Sequence, residues 1–151
     1  MQHLDADYVD EVLRRIDAIP DDAVPRWGKL RKPQLIEHLI WTVEHAMGRS
    51  KQLSFRGNWF TRRILAPVIL SGFIRMPKNV RLPKRLEAQG ITLREPGNLD
   101  TLSGLLDEYI ALVQADELHT AMHPIFGDIG IDGWERMHIL HFEHHLRQFG
   151  V

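Results

Sequence analysis

The stretch His138-Ile139-Leu140-His141-Phe142-Glu143-His144-His145-Leu146-Arg147-Gln148 holds four of the nine histidines of this 151-residue chain. Successive helical residues turn by about 100°, so positions four apart lie roughly 40° from each other on one face. His141 and His145 therefore point the same way, one turn apart, and two imidazoles so placed can grip one metal ion. Trp134, His138 and Gln148 fall on the same stripe, while His144 lies about 60° to one side. The helix is expected to start near Asp132, with Asp132 and Glu135 as a capping box, and to run to Phe149.

Working outward, Leu102, Leu105, Leu106, Tyr109, Ile110 and Val113 recur at helical spacing, predicting a helix over residues 99–115 capped by Asn98 or Asp100. Near the N-terminus, Val9, Val12, Leu13, Ile16 and Ile19 mark one buried face of a helix over residues 5–19, stopped by Pro20. Pro33 suits the first turn of a helix whose apolar stripe is Leu35, Ile36, Leu39, Ile40, Val43 and Met47, with Gly48 as its stop. Residues 51–97 hold four of the eight prolines. A short helix over residues 62–75, broken or kinked at Pro67, is expected there, followed by an irregular basic stretch. A connection of that length fits the crossover that some bundles need between parallel neighbours. Four long helices and no convincing strand predict an all-α fold: one four-helix bundle over residues 1–151, with a long crossover between the second and third long helices.

Composition excludes several functions. With 44% hydrophobic and 26% charged residues the chain is globular in character, and its net charge of −1 gives no global field for nucleic acid or an anionic membrane. The apolar run at residues 64–74 is too short to span a bilayer. Cysteine is absent, which removes disulfides, thiolate ligands and a cysteine nucleophile. With an acidic N-terminus unlike a signal peptide, the expectation is a cytoplasmic protein without nucleic-acid or membrane partners.

A helical pair supplies two ligands, and catalytic zinc sites usually take three and leave one position open. The second helix offers His38 or His45, seven residues apart on one face, and spacing alone leaves both open. The zincin pattern fails, because Phe142 stands where it needs Glu, and Glu143 projects about 200° from His141. The glycines at 127, 130 and 133 fit no nucleotide-binding loop, and Asp128 and Asp132 make no calcium loop.

The spacing His141, His144-His145, Gln148 resembles the last helix of the DinB/YfiT-like superfamily. Residues 27–30 and 34–39 resemble the start of that family's second helix. His123-Pro124-Ile125-Phe126-Gly127 and Trp134 resemble one uncharacterised bacterial branch. The resemblance implies a four-helix bundle with one long crossover, often a homodimer, and a divalent metal, Zn²⁺ or Ni²⁺, on His38, His141 and His145. It also implies thiol-dependent transfer or isomerisation of a small molecule, with the thiol supplied externally since the chain has no cysteine. Hydrolysis by metal-activated water is the other chemistry such a site supports. The alternative is a non-catalytic bundle with a structural or vestigial metal. One departure is Lys32, where this branch often has a Thr or Ser cap before the proline, a loss on the order of 1 kcal/mol in capping.

Around the triad, His138 and Gln148 are candidates to orient a ligand or a bound water. Trp41, His45 and His123 are candidates to line a pocket. His144 and His119 are expected to be solvated. Arg75, Lys78, Arg81, Lys84 and Arg85 form a local basic stretch, expected to be a solvated loop.

Overall fold

The computed structural model describes residues 2–50, 57–78 and 97–151. Helix α1 (Ala6–Asp17) is capped by Asp5, whose carboxylate accepts the Tyr8 N–H at 2.9 Å. Its buried face is Tyr8, Val9, Val12 and Ile16, and Ile19 follows into the core. Helix α2 (Lys32–Ala46) carries Pro33 in its first turn, where a missing N–H costs nothing. The Gln34 side chain accepts the Arg31 N–H at 2.9 Å, so half of a capping box survives without a Ser or Thr. Lys32 has another use: its ammonium donates to the Asp17 carbonyl at 2.9 Å and covers the end of α1.

The middle helix departs from expectation. Residues 61–65 form a π-helical turn that runs into helix α3 (Ala66–Leu70). Pro67 sits in the first turn of α3 rather than in a broken interior. Proline cannot donate and crowds the carbonyl four residues back, and a preceding wide turn, closed by Ala66 N–H to Thr61 O, relieves that crowding. The helix ends at Leu70, five residues before the expected end, where Gly72 takes φ +76°. Most of the basic stretch after it, including Arg81, Lys84 and Arg85, lies outside the described residues.

Helix α4 (Leu99–Gln114) is capped by Asn98, which accepts the Asp100 N–H at 2.7 Å. Helix α5 (Gly130–Phe149) starts two residues before the expected cap. Asp128 accepts the Gly130 N–H at 3.1 Å, so Asp132 lies inside the first turn. Glu135 closes no capping box; it reaches across to accept the Leu4 N–H at 2.8 Å. Gly150, at φ +84°, closes the C-terminus with its N–H on the Leu146 carbonyl.

Cross-helix bonds set the topology. Leu4 meets Glu135, Tyr8 meets the Ile139 carbonyl and Arg15 meets Glu143, so α1 and α5 run parallel. Gly97 N–H bonds the Pro33 carbonyl, and Arg49 after α2 pairs with Glu108 within α4, so α2 and α4 are parallel too. His38 faces His141, whereas His45 faces Trp134, so α2 and α5 are antiparallel. A parallel pair needs the long connection that joins α2 to α4. Gly97 is required at that junction, because a Cβ there would collide with the backbone of Ile36 and Glu37. The fold is thus an all-α four-helix bundle, and among the described residues the only strand-like pairing is an isolated bridge between His123 and Gly127.

Candidate metal centre

The antiparallel packing of α2 on α5 brings His38 against His141 and His145. The Nε2 atoms of His38 and His141 lie 3.0 Å apart, as do those of His141 and His145. All three ligand atoms fall within 4.8 Å of one another, and among the described residues no carboxylate joins them. His145 is buried, while His38 and His141 keep part of their surface at solvent.

Hydrogen bonding decides which nitrogen of His145 is free. Gln148 donates its amide to the Trp27 carbonyl at 2.6 Å, which turns its Oε1 toward His145 Nδ1 at 2.8 Å. An amide oxygen can only accept, so His145 carries its proton on Nδ1. The Nε2 lone pair therefore points into the cluster.

Burial lowers the pKa of each ring, because charging an imidazole among protein atoms forfeits its hydration. His38 falls to about 4, chiefly by burial and then by repulsion from His144. His145 falls to about 3 by burial and then by repulsion from His38. His141 is held well below its ordinary value by burial and by both partners. At neutral pH the cluster is three uncharged imidazoles.

That arrangement is poorly satisfied by protein alone. With His145 Nε2 bare, a proton on His141 Nε2 can bridge to one neighbour but cannot point squarely at both. Tetrahedral zinc with bonds of 2.0–2.1 Å would hold ligand nitrogens about 3.3 Å apart. The His38–His141 and His141–His145 spacings, 3.0 Å each, are within a few tenths of an ångström of that. The donor set, its neutrality and its convergence all fit a divalent cation.

The remaining candidates separate clearly. His45 stands off from the triad, with Nε2 3.4 Å from the Met122 carbonyl and Nδ1 3.3 Å from Ser50 Oγ. Trp41 stacks between His38 and His45, at ring-centroid distances of 6.5 and 5.3 Å. His123 shapes its own loop: Nδ1 accepts the N–H groups of Ile125 and Phe126 at 3.2 and 3.1 Å. His138 is fully buried between Trp134 and Phe142, with the edge of Tyr109 at 5.2 Å. Neither of its ring nitrogens has a partner among the described residues, so it makes no bond to the triad. Glu143 turns away to Arg15 at 2.8 Å. His119 is exposed as expected. His144 is not simply solvated: its ring meets Trp27 edge-on at 5.6 Å and His145 at 5.2 Å. The Trp27 carbonyl was invisible to sequence reasoning, since a backbone group carries no residue signature.

A family model described as a protein of unknown function (DUF1569) matches residues 1–150. The chain belongs to that family. No curated protein and no solved structure matches it. DUF1569 membership thus covers the whole bundle, including all three histidines of the cluster.

Proposed function

We propose that this DUF1569 protein is a metal-dependent enzyme that holds one divalent ion, Zn²⁺ or Ni²⁺, on His38, His141 and His145. The observation that carries this is the convergence of three neutral Nε2 atoms, one of them held bare by the Trp27–Gln148–His145 chain. Three neutral ligands leave the ion its full charge, which lowers the pKa of a bound water or thiol and polarises a carbonyl. Gln148 locks the His145 ring in one tautomer and orientation. The antiparallel α2–α5 contact sets His38 opposite the pair. His38 and His141 are only partly buried as residues, which leaves an approach for a small-molecule substrate.

Among the described residues no carboxylate stands beside the cluster, so the activated co-ligand must do much of the chemistry. Kinship with the DinB/YfiT-like bundles, supported by the His141, His144-His145, Gln148 spacing and by the parallel α2–α4 pair, favours transfer or isomerisation with an external low-molecular-weight thiol. Hydrolysis of a small electrophile is the competing reaction. The same kinship favours a homodimer, and the absence of cysteine suits a reducing cytoplasm. No helix among the described residues is long and apolar enough to cross a membrane.

Elemental analysis of the purified protein tests the site. About one metal per chain is expected, lost in the His141→Ala, His145→Ala double variant. Full occupancy in that variant sinks the proposal. A panel of thiols and electrophiles tests the chemistry. A bound metal with no turnover on any of them points instead to the structural role.

A further inference from the structure

The net charge of −1 hides a segregation. Residues 45–86 carry ten of the nineteen Lys and Arg side chains and none of the twenty Asp and Glu. The described part of this stretch includes the π-helical turn and α3, one face of which is held to the bundle. Ala66 and Ile69 are buried, and Arg136 of α5 donates to the Leu70 carbonyl at 2.9 Å. The opposite stripe (Phe60, Arg63, Ile64, Pro67, Ser71) is exposed at helical spacing.

The segment that carries this stripe is unusually apolar for a free surface. Seven large hydrophobic side chains are exposed among the described residues, and five of them fall between 59 and 74. Trp59 is 70% exposed and Phe60 55%, with Ile64 at 43%. The turn after α3 leaves Phe73 93% exposed and Ile74 55%. Arg63 and Arg75 are interleaved with them and make no ion pair among the described residues. Beside the N-terminal end, Gly57, Asn58, Trp59, Arg62 and Arg63 line a surface cavity of about 320 Å³.

We propose that residues 59–78 form a docking surface that seats the protein on an anionic phospholipid bilayer. Exposed aromatic and aliphatic side chains set among arginines, on a helix whose other face is anchored, are what an interfacial contact requires. The apolar groups enter the acyl boundary while the cations meet lipid phosphates. Other occupants fit less well. A second copy docking through the same face would set arginine against arginine. A single-stranded nucleic acid would use Trp59 and Phe60 for stacking, but Ile64 and Ile74 offer no ring face. The contact is peripheral, since no described helix can span.

The test is co-sedimentation of the full chain with vesicles of phosphatidylglycerol and phosphatidylcholine, against phosphatidylcholine alone. Binding is expected only to the anionic vesicles, weakening as salt is raised. Arg63→Ser with Arg75→Ser should weaken it about fivefold per cation removed. Trp59→Ser with Phe73→Ser should weaken it at least about tenfold. These side chains are exposed, so circular dichroism, melting and metal content should match the parent. A failed metal site would therefore not imitate this result. No sedimentation of the parent protein overturns the proposal, and so does sedimentation unchanged in both variants. Binding of a single-stranded oligonucleotide, or self-association through these residues, in place of vesicle binding also overturns it.

Discussion

Two histidine environments lie one turn apart on α5, and they behave oppositely. His141 and His145 turn Nε2 atoms toward each other and toward His38. His138 lies deeper, between Trp134 and Phe142, with both ring nitrogens unpartnered among the described residues. All these rings are neutral for the same reason, burial, which takes His138 to about 3. Neutrality and burial therefore do not tell the two environments apart. Convergence does: Nε2 atoms from two helices meet in the cluster, and a partner holds one ring in a fixed tautomer.

The sharpest way to break this contrast is to remove His38. His38→Ala should strip the metal almost completely from protein purified at low metal concentration, whereas His45→Ala should leave occupancy close to that of the parent. The reverse outcome, measured by elemental analysis, would move the third ligand. Next in size is Gln148→Leu, which leaves His145 Nδ1–H without its acceptor. Metal affinity should fall about 10–100-fold without being abolished. Competition with a chromophoric chelator reads this directly, and unchanged affinity would remove Gln148 from the site.

His138 predicts a pH effect. Its folded pKa, about 3, lies below the ordinary value of 6.5, so below pH 6.5 the unfolded chain binds a proton that the folded chain refuses. Stability from this residue is complete above pH 6.5 and drains as pH falls toward 3, at about 1.4 kcal/mol per pH unit. His138→Phe should flatten the denaturant-measured stability profile between pH 4 and 6 by about that slope. An unchanged slope would mean that the ring is not held neutral. The smallest effect is at neutral pH. Replacing an unpartnered buried imidazole by an apolar ring of similar shape should raise stability by about 1 kcal/mol. A comparable loss would show that the His138 nitrogens have a partner.

Much of the bundle was legible in the sequence. The apolar periods of α1, α2 and α4 found those helices to within a few residues, because a buried face needs apolar side chains every three or four positions. Of the two cap candidates for α4, Asn98 and Asp100, the structure uses Asn98. Misreadings occurred where local signals compete with distant partners. Asp132 and Glu135 looked like a cap pair, but Glu135 is taken by Leu4 across the bundle, and Asp128, just ahead of the N-cap Ile129, accepts the Gly130 N–H. Pro67 looked like a break, and the backbone widened ahead of it instead. His144 looked solvated until Trp27 covered one edge of it. The charge average over the whole chain concealed a cationic stretch that contains no acid.

The same division runs through the histidines. Sequence by itself determined that His141 and His145 share one face of one helix, because helical geometry is local and repeats every 3.6 residues. It also determined that Glu143 points elsewhere. Spacing could not choose between His38 and His45, since both lie on one face of α2 and the register of α2 against α5 is not a local property. Tertiary structure decided it: antiparallel packing sets His38 level with the pair and carries His45 up to Trp134 and Met122. It likewise supplied the Trp27 carbonyl that, through Gln148, turns the His145 lone pair inward.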